Sequence, residues 1–302
     1  MNLALKLVST VFKDKMAKII STQTTNHPVP NDLVLIEDLP YEGPDGTPLA
    51  ADVYRPKGTS DGPLPIAVFI HGGGFLVGSR KANRVFAELL AQRGYVVFVP
   101  EYRLLDQTKG VNAVSDVVAG LSYLKAHARE FYGDLNNVLM IGESAGGFLA
   151  VYATAVLASP LLQRELGIEV PNLSMRGLAC FAGMLYTAGC NLIGLVYRRD
   201  MFGDLLKEPD FMKFMSPDYP IVESSLPPVL QVTSGADFLK NHTMRFNEAL
   251  AMAGHDHRLI YYKEGDELTH AFPSLRPELP QSREVLEALD GWYRRLPPQT
   301  LA

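Results

Sequence analysis

The apolar residues of this chain follow two alternating patterns from residue 64 onward. Short runs rich in Val, Ile and Leu, each bounded by turn residues, are typical of strands buried on both faces of a sheet. These runs span 64–70, 93–102, 136–142, 175–183, 227–235 and 257–265. Between them, apolar residues recur every three to four positions, the period of an amphipathic helix, over 80–94, 114–130, 148–159, 241–254 and 282–296. The alternation predicts an α/β fold with a mostly parallel central sheet and helices on both faces.

Two regions depart from this alternation. Residues 33–39 and 49–56 read as strands joined by the turn sequence GPDGTP, which predicts antiparallel strands at one edge of the sheet. Residues 184–226 contain several helix-like pieces and no convincing strand pattern. Because this segment separates two predicted strands, we expect it to form an insertion on the rim of the sheet.

The N-terminal segment predicts an amphipathic helix. Its apolar residues lie on one helical face, at spacings of three and four: Leu5, Val8, Phe12, Met16 and Ile19. Lysines interrupt any signal-peptide core, and no run approaches the ~18 apolar residues of a transmembrane helix. We expect this helix to pack on the body of the protein, with a membrane surface or a second subunit as the alternatives.

Composition narrows the function classes. The 302 residues carry a net charge of −5 with acidic and basic residues mixed, so no basic stripe predicts nucleic-acid binding. The two cysteines, Cys180 and Cys190, form neither a disulfide framework nor a metal-binding spacing. Cys180 lies in an apolar run and is predicted to be a core residue. Few cysteines suit a reducing compartment, and we therefore expect a cytoplasmic location.

Three consecutive glycines follow the strand predicted at 64–70, in the sequence HGGGFLVGS that begins at His71. Glycine allows positive φ and close approach of the backbone to a ligand, and a row of free amides can bind an oxyanion. The alternatives are a flexible turn and a phosphate-binding loop, but neither G-x-G-x-x-G nor G-K-[ST] is present. We favour an oxyanion loop that His71 holds by local hydrogen bonds.

Ser144 lies in the sequence GESAGG, with Gly142 two residues before it and Gly146 two residues after it. This is the G-x-S-x-G pattern of the nucleophile elbow, a tight turn from strand to helix that exposes a serine hydroxyl. The turn places that hydroxyl at a helix N-terminus, where the dipole and free amides favour developing negative charge. The apolar run before the motif and the helical pattern after it support Ser144 as a nucleophile.

A serine nucleophile requires a base and an orienting acid, and the elbow predicts the chain order Ser, Asp or Glu, His. Asp237 follows the strand predicted at 227–235, and His270 lies in the loop after the last predicted strand. The carboxyl ends of neighbouring parallel strands meet at one edge of a sheet. We therefore expect Asp237 and His270 to meet over Ser144.

Several other residues compete for these roles. His71 precedes the serine, which is the wrong order for the base. His127 and His242 lie in helical segments and are interpreted as structural, and His255 and His257 as a surface turn without further metal ligands. Three acidic residues lie in the loop of His270 itself rather than at a preceding strand end, and remain weaker candidates for the acid: Glu264, Asp266 and Glu267.

Five short motifs carry a family resemblance that runs from about residue 35 to the C-terminus. They are HGGGF (71–75), YRL (102–104), GESAGG (142–147), SGADFL (234–239) and THAF (269–272). Together they resemble the hormone-sensitive-lipase-like branch of the α/β-hydrolases and the related HGGG-type carboxylesterases and acetylesterases. The resemblance implies Ser144 as nucleophile, Asp237 as acid and His270 as base. It also implies an oxyanion hole formed by the N–H groups of Gly72, Gly73 and Ala145.

The same resemblance implies a small helical cap over a hydrolase domain. The cap would combine an N-terminal segment, 1–35, with the insertion at about 184–226, and the hydrolase domain would span 36–302. Two positions depart from the family pattern. Leu104 is followed by Leu-Asp-Gln rather than by the family's Ala-Pro-Glu continuation of Tyr-Arg-Leu, and Asn241 stands where a second acid is common.

The sequence therefore predicts a serine carboxylesterase that hydrolyses short-chain esters, acetyl to hexanoyl, through an acyl-enzyme. Such a mechanism needs no metal or organic cofactor, and the expected partner is a small-molecule ester, with a homodimer left open. A serine peptidase or amidase of the same superfamily is the nearer alternative. A non-catalytic small-molecule receptor on the same fold is disfavoured, because His270 is present.

Overall fold

A computed structural model describes residues 1, 3–24, 27–58, 62–189 and 192–298 of the chain. One sheet of eight strands forms its centre, in the order β1-β2-β4-β3-β5-β6-β7-β8. The strands are β1 (Leu33–Glu42), β2 (Pro48–Pro56), β3 (Leu64–Ile70), β4 (Val96–Pro100), β5 (Gly133–Glu143), β6 (Gly177–Phe181), β7 (Val229–Ser234) and β8 (His257–Tyr262). All eight coincide with runs predicted from the sequence.

Strand direction follows the predicted pattern. β2 runs antiparallel to both of its neighbours, β1 and β4, and the remaining pairs are parallel. The antiparallel hairpin therefore lies at one edge, and the carboxyl ends of β3 and β5 to β8 lie along the same edge of the sheet. That edge is where ligands bind in open α/β sheets.

Helices cover both faces of the sheet. They are α1 (Leu3–Thr24), α2 (Arg84–Gln92), α3 (Asn112–His127), α4 (Ala145–Ala158), α5 (Pro160–Leu166), α6 (Leu192–Phe202), α7 (Pro209–Phe214), α8 (Pro220–Glu223), α9 (Lys240–Met252), α10 (Phe272–Leu275) and α11 (Pro280–Arg295). Two 3₁₀ turns, Ala128–Phe131 and Gly203–Lys207, follow α3 and α6.

The core has two parts because side chains alternate across each strand. In β3, Val68 belongs to the part of the core that includes residues of α3, α4 and α9, whereas Phe69 belongs to the part that includes residues of α2 and α11. Cys180 belongs to the first part and is buried, as predicted. The mostly parallel sheet with helices on both faces is confirmed.

The insertion between β6 and β7 consists of α6, the second 3₁₀ turn, α7 and α8, with no strand among its described residues. Its first helix packs against α1. The helix predicted at the N-terminus is α1, and Leu5 on it is buried. The side chains of Val8, Phe12, Met16 and Ile19, and all of Cys190, lie outside the described residues.

The boundaries of the two predicted cap segments, 1–35 and about 184–226, remain predictions. β1 begins at Leu33, two residues before the boundary predicted at residue 35.

Across the described part of the chain, no single helix has the length and apolar character of a membrane span. Helices α4 and α5 have that length and apolar character only when they are taken together, and the chain bends by 117° between them.

Candidate active site

Ser144 occupies the turn between β5 and α4 with φ of 51° and ψ of −118°. Positive φ is uncommon for a residue with a Cβ and marks a strained turn. The flanking glycines allow this turn to form. A Cβ on Gly142 would lie 2.2 Å from the carbonyl oxygen of Gly146, and a Cβ on Gly146 would lie 2.2 Å from that of Ile70. The G-x-S-x-G spacing is therefore a requirement of backbone packing.

Asp237 and His270 are joined by a hydrogen bond of 2.7 Å, in which Nδ1 of His270 donates to Oδ1 of the carboxylate. The same carboxylate accepts from the Thr233 hydroxyl at 2.7 Å and from the Leu239 amide at 2.9 Å. Burial by itself raises the pKa of Asp237, but the hydrogen bond and charge of His270 outweigh it, so the pKa lies below its usual value. Asp237 is thus held as an anion beside the imidazole.

The second ring nitrogen of His270 is buried and has no hydrogen-bond partner among the described residues. In the neutral tautomer that donates from Nδ1 to Asp237, Nε2 presents a lone pair. No hydrogen bond joins it to Ser144 here, although catalytic hydrogen bonds are often long without substrate. The loops of the two residues are nonetheless in contact, since the Ser274 hydroxyl, four residues after His270, donates to the Glu143 carboxylate beside Ser144.

The glycine loop after β3 passes directly over Ser144, because a Cβ on Gly72 would lie 3.1 Å from the Ser144 Cβ. The amide of Gly72, however, donates to Oε1 of Glu143 at 3.1 Å and already has an acceptor. By contrast, the amides of Gly73, Gly74 and Ala145 donate to no acceptor within the part of the chain that the structure describes. Gly73 and Gly74 have φ of 115° and 62°, conformations that glycine adopts readily.

His71 lies beneath that loop and is fully buried. Its Nδ1 is 2.8 Å from the Gly72 carbonyl oxygen, its Nε2 is 2.8 Å from Oε1 of Glu101, and its ring stacks on Tyr102. Burial raises the pKa of Glu101, but the hydrogen bond and charge of His71 outweigh it and the pKa is lowered. The local hydrogen bonds expected of His71 are therefore present.

Glu143 is the residue of the elbow that sequence reasoning left without a role. Its carboxylate is 2% exposed and accepts from three parts of the chain: the Gly72 amide, the Asn83 side-chain amide at 3.0 Å and the Ser274 hydroxyl. Burial raises its pKa, although the hydrogen bonds from Ser274 and Gly72 oppose that shift. Glu143 thus links the glycine loop, the N-terminus of α2 and the histidine loop.

The competing histidines have other contacts. His127 pairs with Glu130, and His255 and His257 pair with backbone carbonyl groups. His242 accepts from the Tyr186 amide at 3.3 Å, and burial lowers its pKa to about 4. The three acidic competitors of Asp237 are exposed: Glu264, Asp266 and Glu267. Over the described residues, no group of three or more His, Cys, Asp and Glu side chains is arranged to hold a metal ion.

Two aromatic residues near the site were missed by sequence reasoning. Phe238, next to Asp237, places its ring centroid 4.3 Å from that of His270. Tyr197 reaches from α6 toward the glycine loop, since a Cβ on Gly74 would lie 2.9 Å from its hydroxyl oxygen. Burial raises the pKa of Tyr197 to about 12. Phe238 was visible beside the predicted acid, whereas nothing in the pattern of the insertion singled out Tyr197.

Strand order and elbow together define the class of this protein. A sheet in the order found here, with its second strand reversed and a strained serine after its fifth strand, is that of an α/β-hydrolase. The BD-FAE family model matches residues 51–176, which include the glycine loop and the elbow.

Two of the curated relatives that match this chain are named as esterases. The chain is 28% identical over 228 residues to the isoprenylcysteine alpha-carbonyl methylesterase ICME of Arabidopsis thaliana, covering 70% of this chain and 52% of the relative. It is 30% identical over 159 residues to the probable carboxylesterase M8 of a Phoma species, covering 46% and 50%. The chain spans about half the length of these curated relatives.

Esterase B from Lactobacillus rhamnosis shares the fold over nearly the whole chain. The superposition has a TM-score of 0.86 at 22% identity and covers 97% of this chain and 95% of the other. These matches support the resemblance to the hormone-sensitive-lipase-like and carboxylesterase branch of the α/β-hydrolases that the motifs carry.

Proposed function

We propose that this protein is a serine carboxylesterase that hydrolyses short-chain carboxylic esters, acetyl to hexanoyl, through an acyl-enzyme on Ser144. The observation that supports it most is the state of His270. Its Nδ1 donates to the buried Asp237 carboxylate, and its Nε2 has no hydrogen-bond partner among the described residues. An imidazole whose Nδ1 is held by a carboxylate can act through Nε2 as a general base for a neighbouring hydroxyl.

Acylation forms one bond and breaks another. The Ser144 oxygen attacks the ester carbonyl carbon while Nε2 of His270 takes the hydroxyl proton. The tetrahedral intermediate then collapses, the bond from carbon to the alcohol oxygen breaks, and His270 returns the proton to that oxygen. Asp237 stabilises the imidazolium and keeps its tautomer, which fits the lowered pKa of this carboxyl.

Deacylation repeats the same steps with water. His270 takes a proton from a water molecule as its oxygen attacks the acyl carbon of the ester on Ser144. Collapse of the second intermediate breaks the bond to the serine oxygen, which regains the proton from His270. The carboxylic acid leaves and the enzyme returns to its starting state.

The oxyanion in both steps is stabilised by free amides. The Gly72 amide already has an acceptor in Glu143, so we assign the donors as the amides of Gly73, Gly74 and Ala145. In this proposal Gly72 anchors the loop rather than binding the oxyanion. Loss of one oxyanion donor typically costs about 10²–10³ in kcat.

Replacement of the nucleophile tests the proposal. Ser144→Ala should abolish hydrolysis of p-nitrophenyl acetate, because no acyl-enzyme can form, while the circular dichroism spectrum and melting temperature stay near those of the wild type. Survival of more than a trace of activity in a folded Ser144→Ala variant would contradict the assignment. Comparing an ester with the matching anilide in the wild type separates an esterase from an amidase.

A further inference from the structure

Phe238 is exposed in an unusual place. Its side chain is 69% exposed, yet it follows the buried Asp237 directly and its ring lies 4.3 Å from the His270 ring, at an angle of 39°. Single exposed apolar side chains are common on protein surfaces. This one, however, covers a face of the proposed catalytic base.

The backbone around Phe238 is firmly held. On one side, the Asp237 carboxylate accepts from Thr233 and from the Leu239 amide, and on the other side Leu239 is buried. The residues before and after Phe238 thus point inward, and Phe238 points out between them. An aromatic ring with few rotatable bonds on a fixed backbone can bind a ligand at little cost in conformational entropy.

The chemistry indicates which part of an ester meets this ring. In the proposed reaction the acyl carbon is bound to Ser144, whereas the alcohol oxygen takes its proton from Nε2 of His270. The alcohol part therefore leaves along the imidazole, and the Phe238 ring lies 4.3 Å from that imidazole, tilted by 39°. The ring is consequently a neighbour of the alcohol part rather than of the acyl chain.

We infer that Phe238 is a specificity-determining residue that binds the alcohol part of the ester and selects apolar, above all aromatic, alcohols. The inference rests on the proposed function and adds the class of alcohol to it. An apolar alcohol covers the exposed ring and removes apolar surface from water, and an aromatic one adds an offset-stacked or edge-to-face ring pair. A methyl alcohol part is too small to do either.

Two esters with one acyl group test this inference. Benzyl acetate and methyl acetate form the same acetyl-enzyme, so the ratio of their kcat/KM values reports only recognition of the alcohol part. Phe238→Ala should lower that ratio by about tenfold, the low end of what a lost apolar contact costs in selectivity. Phe238→Leu, which keeps apolar bulk without the ring, should give a smaller loss.

A control variant and two contrary outcomes complete this test. Met252, an exposed apolar residue at the end of α9, provides a matched variant, and Met252→Ala should keep the wild-type ratio. If Phe238 acts only by holding His270, both esters lose the same factor, and a constant ratio in Phe238→Ala overturns the inference. Wild-type protein that hydrolyses neither ester would instead overturn the proposed function, and this inference with it.

Discussion

At the scale of single residues, Glu143 explains how the site is held together. Its two buried oxygens accept hydrogen bonds from three donors in distant parts of the chain: the Gly72 amide, the Asn83 amide and the Ser274 hydroxyl. Each donor left unsatisfied in a buried site costs about 1–3 kcal/mol. Glu143 is therefore expected to stabilise the fold and to position the glycine loop relative to Ser144.

Removing this carboxylate and replacing it by its isostere should have different effects. Glu143→Ala leaves the buried Gly72 and Asn83 amides without an acceptor, whereas the Ser274 hydroxyl can still donate to the Ala271 carbonyl oxygen. We therefore expect about 2 kcal/mol or more of lost stability. Displacement of the glycine loop should also lower kcat by ~10–100-fold. Urea unfolding and hydrolysis of p-nitrophenyl acetate measure the two effects.

Glu143→Gln is the matched control. Its carbonyl oxygen can accept from Gly72, and its amide can donate to the Asn83 oxygen once the Asn83 side-chain amide turns over, because the Asn83 nitrogen now faces Glu143. That oxygen is buried and has no partner among the described residues. We expect it to stay within about 1 kcal/mol of the wild type. Equal losses in the alanine and glutamine variants would show that hydrogen bonding at Glu143 does not hold the site.

The sequence predicted the three residues of the proposed triad, but not the hydrogen bonds of Glu143 that hold the site together. Ser144, Asp237 and His270 each follow a strand, and the elbow fixes their order along the chain, so topology alone brings their loops together. The partners of Glu143 lie 71, 60 and 131 residues away and follow no such rule. The choice between Gly72 and Gly74 as an oxyanion donor also depended on where the Glu143 side chain points.

At the scale of elements, the elbow depends on how closely β3, β5 and α4 approach one another. A Cβ on Gly146 would meet two backbone oxygens, those of Ile70 at 2.2 Å and His71 at 2.5 Å. Backbone atoms at a strand end cannot move away cheaply, because the ladder of the sheet holds them. The first turn of α4 must therefore stay free of side-chain atoms on this face.

Gly146→Ala should for this reason lose at least ~3 kcal/mol of stability, the upper range of an overpacked core. Gly254→Ala is the comparison, because Gly254 has positive φ of 68° but nothing within 4 Å of an added Cβ. That variant carries only the backbone strain of about 1 kcal/mol. Similar melting temperatures for the two variants would mean that α4 moves away from β3 without cost.

At the scale of the whole molecule, β3 to β7 could be predicted because each contains a short apolar run that the fold buries. The run of β8 also predicted a strand, but this strand lies at the edge of the sheet and is only partly buried. The order of the strands within the sheet does not follow from such runs, because β4 lies between β2 and β3 in the sheet although it follows β3 along the chain. The insertion was located by its missing strand pattern. Its internal arrangement, including the approach of Tyr197 to Gly74, depends on tertiary contacts that periodicity does not encode.

The insertion also bears on acyl length. Its helices α6, α7 and α8 are short, with 11, 6 and 4 residues, and offer little surface to enclose a long chain. We expect kcat/KM for p-nitrophenyl esters to be greatest between acetyl and hexanoyl and to fall steeply at dodecanoyl. Ser144→Ala gives the background rate at each length. Activity on long-chain triglyceride emulsions that matches activity on short esters would contradict this expectation.

The account as a whole depends on Ser144 being the nucleophile, and covalent labelling tests that most directly. Wild-type protein treated with a fluorophosphonate and digested should carry a single adduct, on the peptide that contains Ser144, as measured by mass spectrometry. The folded Ser144→Ala variant should carry none, and His270→Ala should label far more slowly because the base is missing. An adduct on a different residue, or equal labelling of the Ser144→Ala variant, would contradict the account.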